Sequence, residues 1–521
     1  MDLDRADVAL GLVVVPVQGT ARSTTNRRIV APYSFSTRGT LVLPLLAIAP
    51  AAVAVLLLAR RARPQWAAGI ALATGLAVLP AFTPDWAEVW RAQGIAAVTG
   101  LEVAAIIFFG LWLHEMMERT GAGGRLACWI LTVTDDLGRR VLLVVLGITP
   151  FVESVTGFGV GAIVAFPLLR RMGFEPARAA ALALLGFVAV PWGALAPGTL
   201  IAARLTGNSF HDLGVASAML SLPVYLLLGG CALVLSQGWR RSARRGPELL
   251  VVAVALWAGI FTANVLVGTA VAGAVGSLAS VAAVLILARV VEHRWPGRDA
   301  AASRAARPYA LLVALLLAAQ VSAAVAEAAG VEFTGAVAPI HTVWTSAASC
   351  LIITCLLAPA LLRMSWTDAG TAGSRASARW RPVALTTVVF LSLGALITAG
   401  GMADALADTA AGLGRPFAAI VPWLGALGGF LTGSNAGANA MFAGAQAASA
   451  QRLNMDVLTV LAIQNVAASV ATAVSAPRIS LVAGLMGASD VERPLVRPVL
   501  LAVAAVLVCL TIFGLIQPVG G

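Results

Sequence analysis

Apolar stretches of membrane-spanning length recur along this chain, and two polar, glycine-rich tracts interrupt the pattern in the same way. Spanning helices are expected over residues 41–59, 66–82, 95–112, 179–195, 213–235 and 249–267. Further ones are expected over 271–288, 309–326, 343–362, 382–399, 457–474 and 499–516. Each is close to the length of about 20 apolar residues that hydrocarbon demands of a helix. The first interruption reads Phe151-Val-Glu-Ser-Val-Thr-Gly-Phe-Gly-Val-Gly161, and the second Leu431-Thr-Gly-Ser-Asn-Ala-Gly-Ala-Asn439. Backbone released from a helix at membrane depth must find partners in protein or in a water-lined cavity. Paired interruptions in two halves of a chain are the sequence pointer to a carrier's binding site.

Arginine placement gives the expected orientation. Clusters lie at Arg60/Arg61/Arg63, Arg139/Arg140, Arg170/Arg171, 240–245, 289–307, 363–381 and Arg493/Arg497. With all of them on the cytoplasmic side, the segment between Arg140 and Arg170 enters and leaves from one face. Counting onward, 416–450 enters from the other. The expected fold is therefore an all-α polytopic membrane protein. It has about twelve transmembrane helices and two oppositely oriented re-entrant hairpins, arranged as an inverted repeat. The expected division is a polar extension over 1–40, a first half over 41–245 with its hairpin at 141–169, a connecting helix pair and Arg-rich loop over 246–307, and a second half over 308–521 with its hairpin at 416–450. The elements after the hairpins also match. Glu175 and Asp456 each start a helix, where a carboxylate favours the positive dipole end. Pro197 and Pro477 are expected to break those helices near their far ends.

Composition narrows the class. The chain of 521 residues is 60% hydrophobic and 11% charged, more apolar than a soluble core can absorb. The net charge of +11 comes from arginines in loops, which the bilayer explains without nucleic acid. All 35 basic residues are Arg, so no phosphate-loop lysine or imine-forming lysine exists. Four of the five Cys (Cys231, Cys350, Cys355 and Cys509) lie in apolar segments, which argues against a disulfide framework. His114-Glu115-Met-Met-Glu118 lacks the second His of a zinc motif and reads as a solvated helix end. No metal or cofactor is expected, and the chain reads as a carrier rather than an enzyme, with no acid pair or Ser/His pair standing out at membrane depth.

Glu153 is the acid at membrane depth in the first tract. Desolvation penalises its charge, which makes it the first candidate for proton coupling, with satisfaction by backbone N–H groups as the plainer account. Glu102, mid-segment, is the second buried acid, read either as the partner of an Arg or as a second proton-coupling candidate. Ser154 and Thr156 offer hydroxyls, and Gly157 and Gly159 allow close backbone approach, although Gly157 and Gly161 also fit a helix-packing motif. In the second tract Thr432, Ser434, Asn435 and Asn439 are neutral donors and acceptors suited to a small anion. Gln464, Asn465, Ser469 and Ser475 form a polar stripe beyond it. Arg478 reads first as a cytoplasmic anchor and second as a grip for a carboxylate.

These motifs resemble the L-lactate permease family of bacterial carriers. The likeness rests on Phe151-Val-Glu-Ser-Val-Thr-Gly-Phe-Gly with Gly173-Phe-Glu-Pro, and on Phe430–Phe442 with Gln446-Ala-Ala. It continues more weakly through Asn465 and Ala476-Pro477-Arg478. The resemblance implies proton-coupled symport of lactate, glycolate or another 2-hydroxy monocarboxylate across a bacterial cell membrane. The expected partners are that anion, a proton and the lipid bilayer, with a homodimer as a candidate assembly. The family usually carries Asp where this chain has Asn435, and Ser-Pro-Gln where it has Ala476-Pro477-Arg478. Those departures favour a more anionic substrate or an altered coupling. The alternative is a sodium-coupled carrier of a di- or oxo-carboxylate.

Overall fold

A computed structural model describes residues 42–293, 297, 299–329, 343–486 and 493–517. The N-terminal extension expected over 1–40 lies outside them. Among the described residues nine helices are long and apolar enough to cross a membrane, or up to eleven if each of two bent pairs is one span. The first falls where Pro191, Trp192 and Pro197 already read as a broken helix, and the second where a single span over 213–235 is expected. Pro176–Leu185 meets Phe187–Leu195 at 59°, and Phe210–Met219 meets Leu222–Gln237 at 50°. The span expected at 343–362 contains the shorter helix Ala347–Leu362.

The longest helices, Trp86–Arg119 and Trp366–Ala399, pack antiparallel against each other. Gln93 donates to the Ser392 carbonyl at 2.9 Å, the Trp380 indole to Ala104 at 2.8 Å, and Arg119 pairs with Asp368 at 2.9 Å. This pair defines two ends of the molecule. At the Arg119 end, the Trp129 indole donates to Gly297 at 2.7 Å, and the buried Arg139 bridges Glu248 and Glu292 at 2.9 and 2.5 Å. Arg171 lies against Cys128 at the same end. At the opposite end, Gly400 and Gly401 sit beside Leu79 and Phe82, Arg452 pairs with Asp408, and Arg415 donates to Leu515 at 3.2 Å.

Each polar tract is a helix, a break and a returning helix. The first runs through Leu137–Leu142, a π-turn over Leu143–Ile148 and Thr149–Thr156, breaks at 157–159, and returns as Val160–Arg171. Both of its outer ends lie at the Arg119 end. The second runs as Phe417–Thr432, breaks at Gly433, and returns as Asn435–Arg452, with both outer ends at the other end.

Close helix approach holds the second unit in place. A Cβ on Gly429 would overlap the Ala468 carbonyl, and one on Gly425 would meet the Gln464 carbonyl at 2.6 Å. Two glycines one turn apart thus let Phe417–Thr432 lie backbone to backbone on Val457–Ala471, the small-residue packing that substitutes for a hydrophobic drive inside lipid.

The prolines act differently from expectation. Pro197 and Pro477 do not end the preceding helices; they open the next ones, Pro197–Thr206 and Ala476–Met486. Proline lacks an N–H that the first helical turn would leave unpaired anyway, so it suits that position. The acids behave as expected at helix starts: Asp456 accepts from the Thr459 amide at 2.9 Å, and Glu175 precedes Pro176 without a side-chain cap.

The segment expected as a solvated helix end is packed instead. His114 and Glu115 are 2% and 8% exposed, and Arg379 meets Glu115 at 2.8 Å. The long helix Trp366–Ala399 covers them, which no local pattern around His114 announces.

Candidate functional site

Glu153 lies on the last turn of the helix entering the first break. There the chain takes three successive left-handed residues, Gly157 (φ 70°), Phe158 (φ 54°) and Gly159 (φ 92°). Glycine at two of the three keeps this turn affordable. The reversal aims the free amides of the returning helix at the Glu153 carboxylate. It accepts from Gly159 N at 3.1 and 3.2 Å and from Gly161 N at 3.2 Å. Its Oε1 also receives Arg478 Nη2 at 3.1 Å, and both side chains are buried, at 2% and 7% exposure.

The expectation that Arg478 serves mainly as a surface anchor is therefore corrected. The Pro477-initiated helix carries it inward, over the Phe187 ring at 4.7 Å, where the aromatic face supports a desolvated cation. A Cβ on Gly159 would overlap the guanidinium, so the bare glycine is what lets Arg478 reach the carboxylate. The plainer account of Glu153, satisfaction by backbone N–H groups, holds, and an ion pair to Arg478 stands beside it.

The second break forms its own polar knot. Asn435 donates to Asn465 Oδ1 at 2.8 Å, and Asn439 donates to Asn465 Oδ1 at 2.9 Å and to the Gly198 carbonyl at 3.0 Å. Asn465 in turn donates to Thr199 Oγ1 at 3.0 Å and Ser217 Oγ at 2.9 Å. A Cβ on Gly198 would meet Asn435 Nδ2 at 2.6 Å.

The two knots are cross-connected. The Pro197 helix receives the second break, and the Pro477 helix receives the first. Each break also touches the turn that follows it in the chain: Gly157 packs on Ala194, and Gly433 on Ser475 and Pro477.

Other expected residues are spent locally. Thr156 donates to Val152 at 2.6 Å, Thr432 to Gly428 at 2.7 Å, and Ser434 caps the Gly437 amide at 3.3 Å. Gln464 faces away from the asparagines and accepts from Gln446 at 2.8 Å. Glu102 lies apart from Glu153 and pairs with Arg204 at 2.8 Å. Four buried atoms near the breaks have no partner among the described residues: Ser154 Oγ, Ser475 Oγ, Asn439 Oδ1 and Arg478 Nη1. Sequence reasoning did not single out Thr199, Ser217 or Arg204. Each looks like an ordinary hydroxyl or loop cation within its own segment.

The model of the L-lactate permease family matches residues 43–318 and 317–519, nearly the whole span the structure describes. The chain belongs to that family. The L-lactate permease of Bacillus subtilis (strain 168) is 23% identical over 473 residues, covering 77% of this chain and 82% of that protein. The L-lactate permease of Escherichia coli (strain K12) is 25% identical over 455 residues, covering 76% and 80%. The glycolate permease of the same strain is 28% identical over 165 residues, covering 31% and 29%. With its apolar helices, this permease-family chain is a multi-pass membrane protein, and these relatives are bacterial. They point to a transporter rather than an enzyme.

Proposed function

We propose that the chain is a secondary active transporter that couples a small organic anion, such as lactate, glycolate or another 2-hydroxy monocarboxylate, to a proton. One observation carries this reading: the buried Glu153–Arg478 pair, contributed by opposite halves and meeting at a helix break. A buried cation with one buried carboxylate is balanced. When Glu153 takes up a proton, Arg478 loses its counter-charge, and a substrate carboxylate can take that place through a two-point grip. Anion and proton then enter together, and the net charge of the site returns to its starting value. Arg478 Nη1, Ser154 Oγ and Ser475 Oγ are buried without a partner among the described residues, and they are donors suited to a carboxylate and a 2-hydroxyl.

The two breaks are read as re-entrant hairpins of an inverted repeat. Support comes from their outer ends, which lie at opposite ends of the molecule, and from the exchange of partners between the two proline-initiated helices. Movement of one repeat against the other would exchange these contacts and alternate access. Asn435, Asn439 and Asn465 then act as the latch between the second hairpin and the Pro197 helix. The name of the family's permeases extends to this chain as lactate or glycolate, and Asn435 and Arg478 as the features that set its own preference.

The test is uptake into proteoliposomes with an imposed pH gradient, across short 2-hydroxy, 2-oxo and dicarboxylic acids. Accumulation of a 2-hydroxy monocarboxylate driven by an inward proton gradient is expected. Accumulation driven only by a sodium gradient at clamped pH would replace the proton with sodium, and equilibration without accumulation would make the protein a passive pore.

A further inference from the structure

Away from the two breaks, a cavity of about 990 Å³ opens at the end of the molecule opposite Arg119. Its walls include Ile106, Leu195 and Leu200, with Gln320 and Ser349 as polar positions. A smaller cavity of about 230 Å³, lined by Arg91, Thr99 and Leu391, lies beside it. Arg204 lines both. Its Nη2 meets Glu102 Oε2 at 2.8 Å and its Nη1 donates to Thr99 Oγ1 at 3.1 Å. Arg204 is 37% and Glu102 22% exposed at the side chain, and both line the larger cavity.

We propose that Arg204 is a staging site where the carboxylate of the incoming anion first docks, displacing Glu102. This rests on the organic-anion reading above. A guanidinium carries five N–H donors in a planar fork, and one carboxylate oxygen and one hydroxyl leave room for a bidentate ligand. Ile106 and Leu200 of the larger cavity, which Arg204 also lines, offer an apolar wall for a short alkyl group. Glu102 makes the site selective for charge. An anion must compete with it, while a neutral solute gains nothing from the exchange.

Position links this site to the inner one. Arg204 sits near the C-terminal end of Pro197–Thr206, the helix whose first turn supplies Gly198 and Thr199 to the asparagine knot. The cavity floor reaches Leu195, within a turn of three consecutive left-handed non-glycine residues: Ala194 (φ 50°), Leu195 (φ 64°) and Ala196 (φ 66°). Such backbone persists only where surrounding structure enforces it and is found at moving or functional sites. Ala194 of this turn also closes on Gly157 of the first break. The turn is therefore the partition between the staging site and Glu153–Arg478.

The experiment is initial-rate L-lactate uptake by the full-length protein in proteoliposomes, with Arg204→Gln, Arg204→Lys, Glu102→Gln and the Glu102→Gln/Arg204→Gln double variant. Staging predicts that Arg204→Gln raises KM about tenfold with a much smaller change in maximal rate, and that Arg204→Lys recovers part of it. Glu102→Gln lowers KM, because the competing carboxylate is gone. The double variant keeps the raised KM of Arg204→Gln. A purely structural ion pair predicts the reverse: both single variants impaired and the double restored toward wild type. That result, or an unchanged KM in Arg204→Gln, overturns the proposal. Wild-type protein that carries no short monocarboxylate would instead overturn the transport reading on which it rests.

Discussion

Replacing Arg478 by Gln tests the centre of the site most directly. The Glu153 carboxylate, 2% exposed, would keep its amide donors from Gly159 and Gly161 and lose its only buried counter-charge among the described residues. Removing one member of a buried pair costs about 3–5 kcal/mol, because an uncompensated charge remains. The amide donors bring the expectation toward the lower figure. Glu153→Gln leaves the guanidinium with Phe187 as support, a contact worth up to about 2 kcal/mol when desolvated. The double variant removes both charges, so its cost should fall short of the sum by about 2–3 kcal/mol. Thermal midpoints of the four purified proteins in one detergent supply the stability side of the cycle. Counterflow and gradient-driven uptake supply the functional side. Glu153→Gln should retain anion exchange and lose accumulation driven by the pH gradient, and Arg478→Gln should lose both. Additive stability costs, or proton-driven accumulation that survives in Glu153→Gln, would refute the pair as a coupling device.

Gly429→Ala should prevent Phe417–Thr432 from seating on Val457–Ala471, since the new methyl meets backbone rather than a yielding side chain. Overpacking of this kind costs about 1–3 kcal/mol or more, visible as a lower melting midpoint and reduced yield in the membrane. Asn465→Ala strands the Asn435 amide donor, while Asn439 keeps the Gly198 carbonyl, and should cost about 1–3 kcal/mol; transport falling no further than in a surface control would contradict the latch. Arg139→Gln should cost about 1–3 kcal/mol: Glu292 loses its ion-pair partner while Glu248 keeps Arg245 at 2.6 Å, and their partial exposure softens the loss. Because this cluster is far from the breaks, the stability loss should come with an unchanged KM.

Much of the candidate site was legible before any coordinates, because membrane depth makes polar residues conspicuous. Glu153, Asn435, Asn439 and Asn465 stand out as violations of an apolar pattern, and violations at that depth are rarely idle. The same logic misjudged Arg478. An arginine just past a proline near a helix end is normally at the water interface, and its sequence neighbourhood does not distinguish the two fates. Thr156, Thr432 and Ser434 show what the sequence leaves open about hydroxyls. Hydroxyls near a helix end have backbone carbonyls and amides within reach, and here those local partners took them. The prolines were assigned to the wrong end of a helix, because a proline marks a boundary without saying on which side the helix lies.

What the sequence by itself determined is local and periodic: helices of spanning length, their charged ends, the two places where glycine and polar residues forbid a continuous helix, and the family. These depend on residues within a few turns of one another. Only the tertiary structure decided which break meets which proline-initiated helix, that Glu153 faces Arg478 across 325 positions of chain, and that Arg204 stands at a cavity mouth with Glu102. Such pairings follow from how whole helices pack. In lipid that is governed by small-residue contacts and polar complementarity spread over the assembled bundle, which no single segment encodes.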